Sequence, residues 1–259
     1  MKKITPFVLV IFLTLSFACQ ALAPQTSPPR DGIVITNCAE VVHGMRGMQT
    51  NDIPQTLYET GIKQGDEFDI NDYFQVLPNL SMQQGYTLDY VLIPDSLGSF
   101  PLIAARPTDQ AAYSTEADIK EQGVREYWKY VEINDVEQGY FEFTTFYILS
   151  SEFYLVWHAN YHDAEVVCDR EAVDAIVAER ETGDFGASFD KEQMKQIKAL
   201  QNIEPLVKLT GTNAVVDVII FSKWGGFYRM TYTISRSFPH EIIDIQQENL
   251  VPYDCGILF

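Results

Sequence analysis

The sequence predicts an α+β fold: antiparallel β-sheets of short hairpins, with two helices over about 169–181 and 190–201 packed on one face. Three observations carry this. Short runs rich in aromatic and β-branched residues recur between Gly-, Pro- and Ser-containing turns. Two later stretches instead space their apolar residues helically: Ala172, Val173, Ile176 and Val177, then Met194, Ile197 and Leu200. Hydrophobic residues make up 46% of the chain and aromatics 13%, enough for a sizeable core over residues 32–259. That span reads as one globular domain, with a division into two β-rich halves, 32–168 and 169–259, as the variant.

In chain order, residues 33–36 read as a strand and 38–65 as irregular, broken by Gly44, Gly47 and Gly61. Asn71-Asp72 caps a short helix over 73–77 that Pro78 ends. Runs 86–93 and 102–105 flank Pro94-Asp95-Ser96-Leu97-Gly98 as a hairpin. Thr115-Glu116-Ala117-Asp118 resembles a capping box opening a helix to Gln122. The strongest β signal is 140–149 and 153–161, joined at Ser150-Ser151-Glu152. The two helices follow, the second capped by Asp190. Strands return at 214–221 and 227–235 around Lys223-Trp224-Gly225-Gly226, with a third at 240–246. Residues 146–168 and 219–245 share a strand–turn–strand pattern whose second arm opens on Phe-Tyr, a faint repeat.

The first residues give an address. Met1-Lys2-Lys3 precedes an almost wholly apolar run over 4–18, the pattern of a signal peptide over 1–18 and short of the roughly 20 residues of a membrane span. No later stretch reaches that length without charges. Leu15-Ser16-Phe17-Ala18-Cys19 then resembles the lipobox of bacterial lipoproteins, with Ser16 where Leu is usual and Leu15 one place early. The resemblance implies cleavage before Cys19, acylation of Cys19 and a place in the cell envelope, with the membrane reached through the lipid anchor. Residues 19–31 hold Pro24, Pro28 and Pro29 among Ser, Thr and Gln, a stalk that cannot bury enough surface to fold. The alternative is a secreted protein cut near Ala21, with Cys19 discarded.

Removal of 1–18 takes Lys2 and Lys3 and leaves 16 basic against 36 acidic side chains, a net charge of −20. A surface this acidic repels phosphate backbones, so nucleic acid is excluded as a partner. Cys38, Cys168 and Cys255 remain, and one disulfide plus one free thiol is the simplest account outside the cytoplasm. Three pairings are open; the closeness of chain ends favours Cys38 with Cys255.

Candidate chemistry centres on Val156-Trp157-His158-Ala159-Asn160-Tyr161-His162-Asp163. On a strand, His158 and His162 lie about 13 Å apart at roughly 3.3 Å per residue, too far to share one metal ion. Tyr154, His158, Asn160 and His162 would instead line a shallow groove for a protein, peptide or glycan, with Trp224 at a hairpin tip as a further aromatic contact. The carboxylate-dense Gly65–Asp72 stretch lacks the EF-hand spacing and reads as a solvated loop. No nucleophile motif, zinc spacing or phosphate-binding loop is present, so no catalytic residue, metal or cofactor is assigned. The function expected is a non-enzymatic binding module at the envelope. The alternative is a hydrolase using His158 or His162 with Asp163 or Cys168.

Overall fold

The computed structural model describes residues 31–95, 98–157, 163–182 and 186–256. Residues 31–259 form one compact unit. The expected signal peptide, Cys19 and nearly all of the expected stalk lie outside the described residues. The fold is α+β with antiparallel sheets.

The chain runs β1 (Ile33–Val34), α1 (Cys38–Met48), α2 (Gln55–Thr60), a 3₁₀ turn at Ile70–Gln75, β2 (Leu80–Met82), β3 (Tyr86–Asp95), β4 (Gly98–Pro107) and α3 (Glu116–Gln122). A second 3₁₀ turn at Tyr127–Tyr130 leads into β5 (Val131–Ile133), α4 (Glu137–Leu149), β6 (Val156–Trp157) and β7 (Glu165–Val167). Then come α5 (Arg170–Thr182), α6 (Lys191–Ala199), β8 (Leu206–Leu209), β9 (Asn213–Ser222), β10 (Gly226–Ser235) and β11 (Ile242–Pro252). The main sheet has six strands in the order β1-β8-β9-β10-β11, with β7 also paired to β9. A three-stranded sheet, β3-β4-β6, and the β2-β5 pair complete the frame.

Core clusters pack against both faces of the main sheet. Ala214, Val216, Val218, Met230, Tyr232 and Ile234 point into the large core shared with α1, α4 and the β3-β4 hairpin. Ile219, Phe221 and Phe227 belong to a second cluster with Val173 and Ile176 of α5 and Ile197 of α6. The two expected helices therefore do pack together on one face. Asp190 caps α6, accepting from Glu192 N and Gln193 N, and the Gln193 side chain closes the capping box. The Thr115–Asp118 box opens α3 as its spacing predicts.

The largest correction is α4. Residues 140–149 read as a strand but form a helix buried nearly all round, with Tyr140, Phe141, Phe143, Phe146 and Leu149 inaccessible to solvent. A helix enclosed on every side shows no polar face, so the 3.6-residue period disappears from its sequence. Its aromatic and Thr content then mimics a strand. With α4 a helix, the faint repeat between 146–168 and 219–245 has no structural counterpart. The strand expected over 153–161 survives among the described residues only as β6; residues 158–162 lie outside them.

The stretch read as irregular holds α1. Gly44 sits where an added Cβ would come within 3.1 Å of Val76, so this glycine serves close packing inside a helix. The disulfide joins Cys38 to Cys168, and Cys255 is a free, buried thiol. The expected Cys38–Cys255 bridge is corrected for a topological reason. Cys38 opens α1 and Cys168 directly follows β7, and both reach the large core, whereas Cys255 lies in the second cluster. Nor does the chain divide at 168/169: β1 pairs with β8, β7 with β9, and the disulfide spans the proposed boundary.

Candidate functional site

The register of β7 against β9 builds a polar concavity. Glu165 faces Phe221 and Val167 faces Ile219. This brings Asp163, two residues before β7, to the β9-β10 turn, where its carboxylate accepts from Ser222 Oγ and Lys223 N, both at 2.8 Å. On the other side, Cys168 ties β7 to the start of α1 through the disulfide. Two turns along α1, Arg46 comes back to the same place. Its guanidinium donates to Ala164 O at 2.6 Å, to Gln49 Oε1 at 3.0 Å and to Glu152 Oε2. Glu152 follows the end of α4, and α5 returns Arg180 to the rim after nearly three turns. The result is a cleft of about 460 Å³ between α1, β7, α5 and the β9-β10 turn.

Its charges are mixed. Glu152 and Glu165 face Arg46, Arg180 and Lys223 across the cleft, with Glu179 at its exposed edge. Burial pushes the Glu152 carboxyl up to about 8, outweighing the Arg46 guanidinium that pulls it down. Burial also lifts Glu165 to about 6, with the Glu179 carboxylate adding to the rise. Arg180 is nine-tenths buried, and its Nε has no hydrogen-bond partner among the described residues. The cleft thus offers two carboxyl groups that hold protons in or near the neutral range, and cationic groups beside them. It can donate and accept hydrogen bonds to a ligand carrying either charge.

The residues expected from sequence are distributed differently. Tyr154 is buried, 2% exposed, instead of presenting its ring at the surface. Its φ is 54°, held by N–H donation to Thr50 O at 2.7 Å, while its hydroxyl accepts from Phe68 N at 2.8 Å. This is a tyrosine locking two loops together in the core. His158, Asn160 and His162 lie outside the described residues. Trp224 is half-buried and folds back onto the second cluster instead of standing clear at its hairpin tip. Cys168 is consumed by the disulfide, so it supplies no thiolate for a Cys-His pair. Asp163 does line the cleft, braced against the β9-β10 turn.

Sequence reasoning missed Arg46, Glu152, Glu165 and Arg180 as a group. Glu152 was the available signal: a carboxylate set in the apolar run 146–157. In the Gly65–Asp72 loop, Glu67 accepts from Gln64 N and Gly65 N, and Asp69 caps the 3₁₀ turn through Asn71 N. Among the described residues no group of three or more His, Cys, Asp or Glu converges as a metal site. No helix among them is long and apolar enough to cross a membrane. Compared with protein families, curated proteins and solved structures, the chain matches none.

Proposed function

We propose that this chain is an envelope lipoprotein, tethered through Cys19, that binds a small polar ligand in the α1–β7–α5 cleft without turning it over. The address rests on the lipobox-like Leu15–Cys19 stretch and the proline-bearing stalk. The binding role is carried by one observation: Glu152 and Glu165, both with raised pKa, share an open cleft with Arg46, Arg180 and Lys223. A ligand that satisfies both sets carries an amine and a carboxylate. A free amino acid or the end of a short peptide has that chemistry, its ammonium toward Glu165 and its carboxylate toward Lys223 and Arg180.

The test is a panel of free amino acids and di- and tripeptides, screened by ligand-observed NMR against the wild type, Lys223→Ala and Glu165→Gln. The reading expects saturable binding, weakened at least tenfold by each substitution. Binding untouched by both, or none across the panel, overturns it. An intact mass from membranes tests the address: a chain beginning at Cys19 with acyl mass supports it, and one beginning at Ala21 or later without lipid refutes it.

A second reading has its own observation. A buried carboxyl that titrates near 8 is matched to general-acid chemistry at neutral pH, and Asp163 directly follows His162 in sequence. A hydrolase would release altered product from the same panel and lose that turnover in Glu152→Gln while still binding.

A further inference from the structure

The six-stranded sheet ends on β11, and the outer edge of β11 is open. Between Ile242 and Val251 every backbone pairing runs to β10, and among the described residues nothing bonds to the far side. Seven consecutive residues of this strand, 243–249, are exposed. An edge of this length is normally shortened, bulged away or covered, because its free N–H and C=O groups template another strand. Here two bulges interrupt the β10–β11 register, and the stretch between them, Tyr228–Thr233 against Asp244–Asn249, runs regularly.

Beside this edge lies a groove of about 600 Å³. Ile245 stands opposite Tyr232, whose ring meets Tyr147 at 6.1 Å, and Tyr147 meets Trp128 edge-on at 5.2 Å. Opposed residues of an antiparallel pair share a face. The floor is therefore apolar: Trp128, Tyr147, Ile243 and Ile245, with the two isoleucines 57% and 41% exposed. The rim is acidic. Glu126, Glu241 and Asp244 line it, and Glu248 extends the charge along β11. Lys129, the cation of the lining, lies 3.1 Å from Glu126 and 3.4 Å from Glu241.

We propose that the β11 edge and its groove dock an extended, basic segment of a partner protein as an added strand, with apolar side chains alternating with Lys or Arg. The backbone ladder would supply affinity. The groove would take the apolar side chains, and the acidic rim would select the basic ones. Charge argues against a second copy as the occupant. β11 holds Asp244 and Glu248 and no Lys or Arg, so antiparallel self-pairing centred on Gln246 sets Asp244 against Glu248 of the other copy. The chain's own stalk is an equally poor occupant. It carries Pro24, Pro28 and Pro29, which cannot donate to a ladder, and it leads into β1 at the opposite end of the sheet.

The test uses the whole chain and two synthetic octapeptides of equal charge, a Lys-Val repeat and a Lys-Pro repeat held near polyproline geometry. Binding is read by titration, and its place by amide hydrogen exchange. The expected result is that the Lys-Val peptide slows exchange across 243–249 at least tenfold, in a salt-sensitive way, and that the Lys-Pro peptide does not. A double variant, Ile243→Ser with Ile245→Ser, changes only exposed side chains. It should keep the wild-type melting temperature and lose at least tenfold in affinity. Equal protection by both peptides, protection elsewhere, or none at 243–249 overturns the proposal. So does sedimentation that shows a dimer with 243–249 already protected, which would make a second copy the occupant.

Discussion

Asp89 shows how an acidic chain affords a buried charge. It is 5% exposed and accepts from Arg106 Nε at 2.8 Å, from the amides of Tyr90 and Tyr113 at 2.8 and 2.9 Å, and from Lys63. Lys63 also lies over the Tyr90 ring at 4.6 Å. Removing the carboxylate strands two cations and two amides, so Asp89→Ala should destabilise by about 3–5 kcal/mol in urea melts, the range for breaking a buried ion pair. The titrating groups set a pH profile. Glu152 and Glu165 have folded values raised to about 8 and about 6, against an ordinary 4.5. Their contribution is whole below that ordinary value and is lost as pH rises through 6 and then 8. Asp135, bonded to Arg236 and Tyr140, is lowered to about 2 from 3.8. Its contribution is present above 3.8 and is lost as pH falls through 2. Stability should therefore be highest between about pH 4 and 5 and decline toward 8. Glu152→Gln, which keeps an acceptor for Arg46 but cannot ionise, should flatten the limb between 6 and 8. Urea midpoints across pH measure both effects.

At the scale of elements, α4 carries the fold and α3 decorates it. Phe146 is fully buried and meets Tyr73, Phe74 and Tyr127 at ring separations of 6.3, 5.8 and 6.0 Å. Phe146→Ala should cost about 3–5 kcal/mol. Thr115→Ala, which removes the cap on the seven-residue α3, should cost about 1 kcal/mol. Paired denaturation curves would test that ranking, and equal losses would contradict it. The same contrast explains which elements were legible in the sequence. Thr115, Asp118, Asp190 and Gln193 write their caps in local chemistry, so α3 and α6 could be read directly. The β3-β4 and β9-β10 hairpins are marked by their turns. α4 is specified by what surrounds it, and α1 contains Gly44 and Gly47, which lower helical propensity, the first in exchange for close packing on Val76. α4 has no period to read, whereas Cys38, Val41, Val42 and Met45 of α1 are buried at helical spacing and were obscured by the glycines among them. The cleft was illegible for a related reason. Arg46, Glu152, Glu165 and Arg180 are spread over α1, the turn after α4, β7 and α5, and only the β7–β9 register and the disulfide bring them together.

At the scale of the whole molecule, the Cys38–Cys168 bridge closes a loop of 130 residues and fixes α1 to the β7–α5 junction. By loop entropy and typical measured values, its loss should cost about 2–5 kcal/mol. Arg46 and Glu165 sit on the two elements it joins, so ligand binding in the cleft should weaken on reduction along with stability. Thiol counting supplies a check. The folded, unreduced domain should react slowly, because Cys255 is 2% exposed, and one thiol should appear on denaturation without reductant. Two open features then lie on one compact unit: the mixed-charge cleft and the β11 edge.

A ¹³C NMR titration of the glutamate carboxyls in the folded protein, assigned with Glu152→Gln and Glu165→Gln, decides whether the cleft is a binding site. The account predicts one carboxyl titrating near 8 and another near 6, both perturbed by a ligand that enters the cleft. If both instead titrate near 4.5 and ignore every amino acid and peptide in the panel, the cleft is an ordinary solvated surface and the binding role assigned to it is wrong.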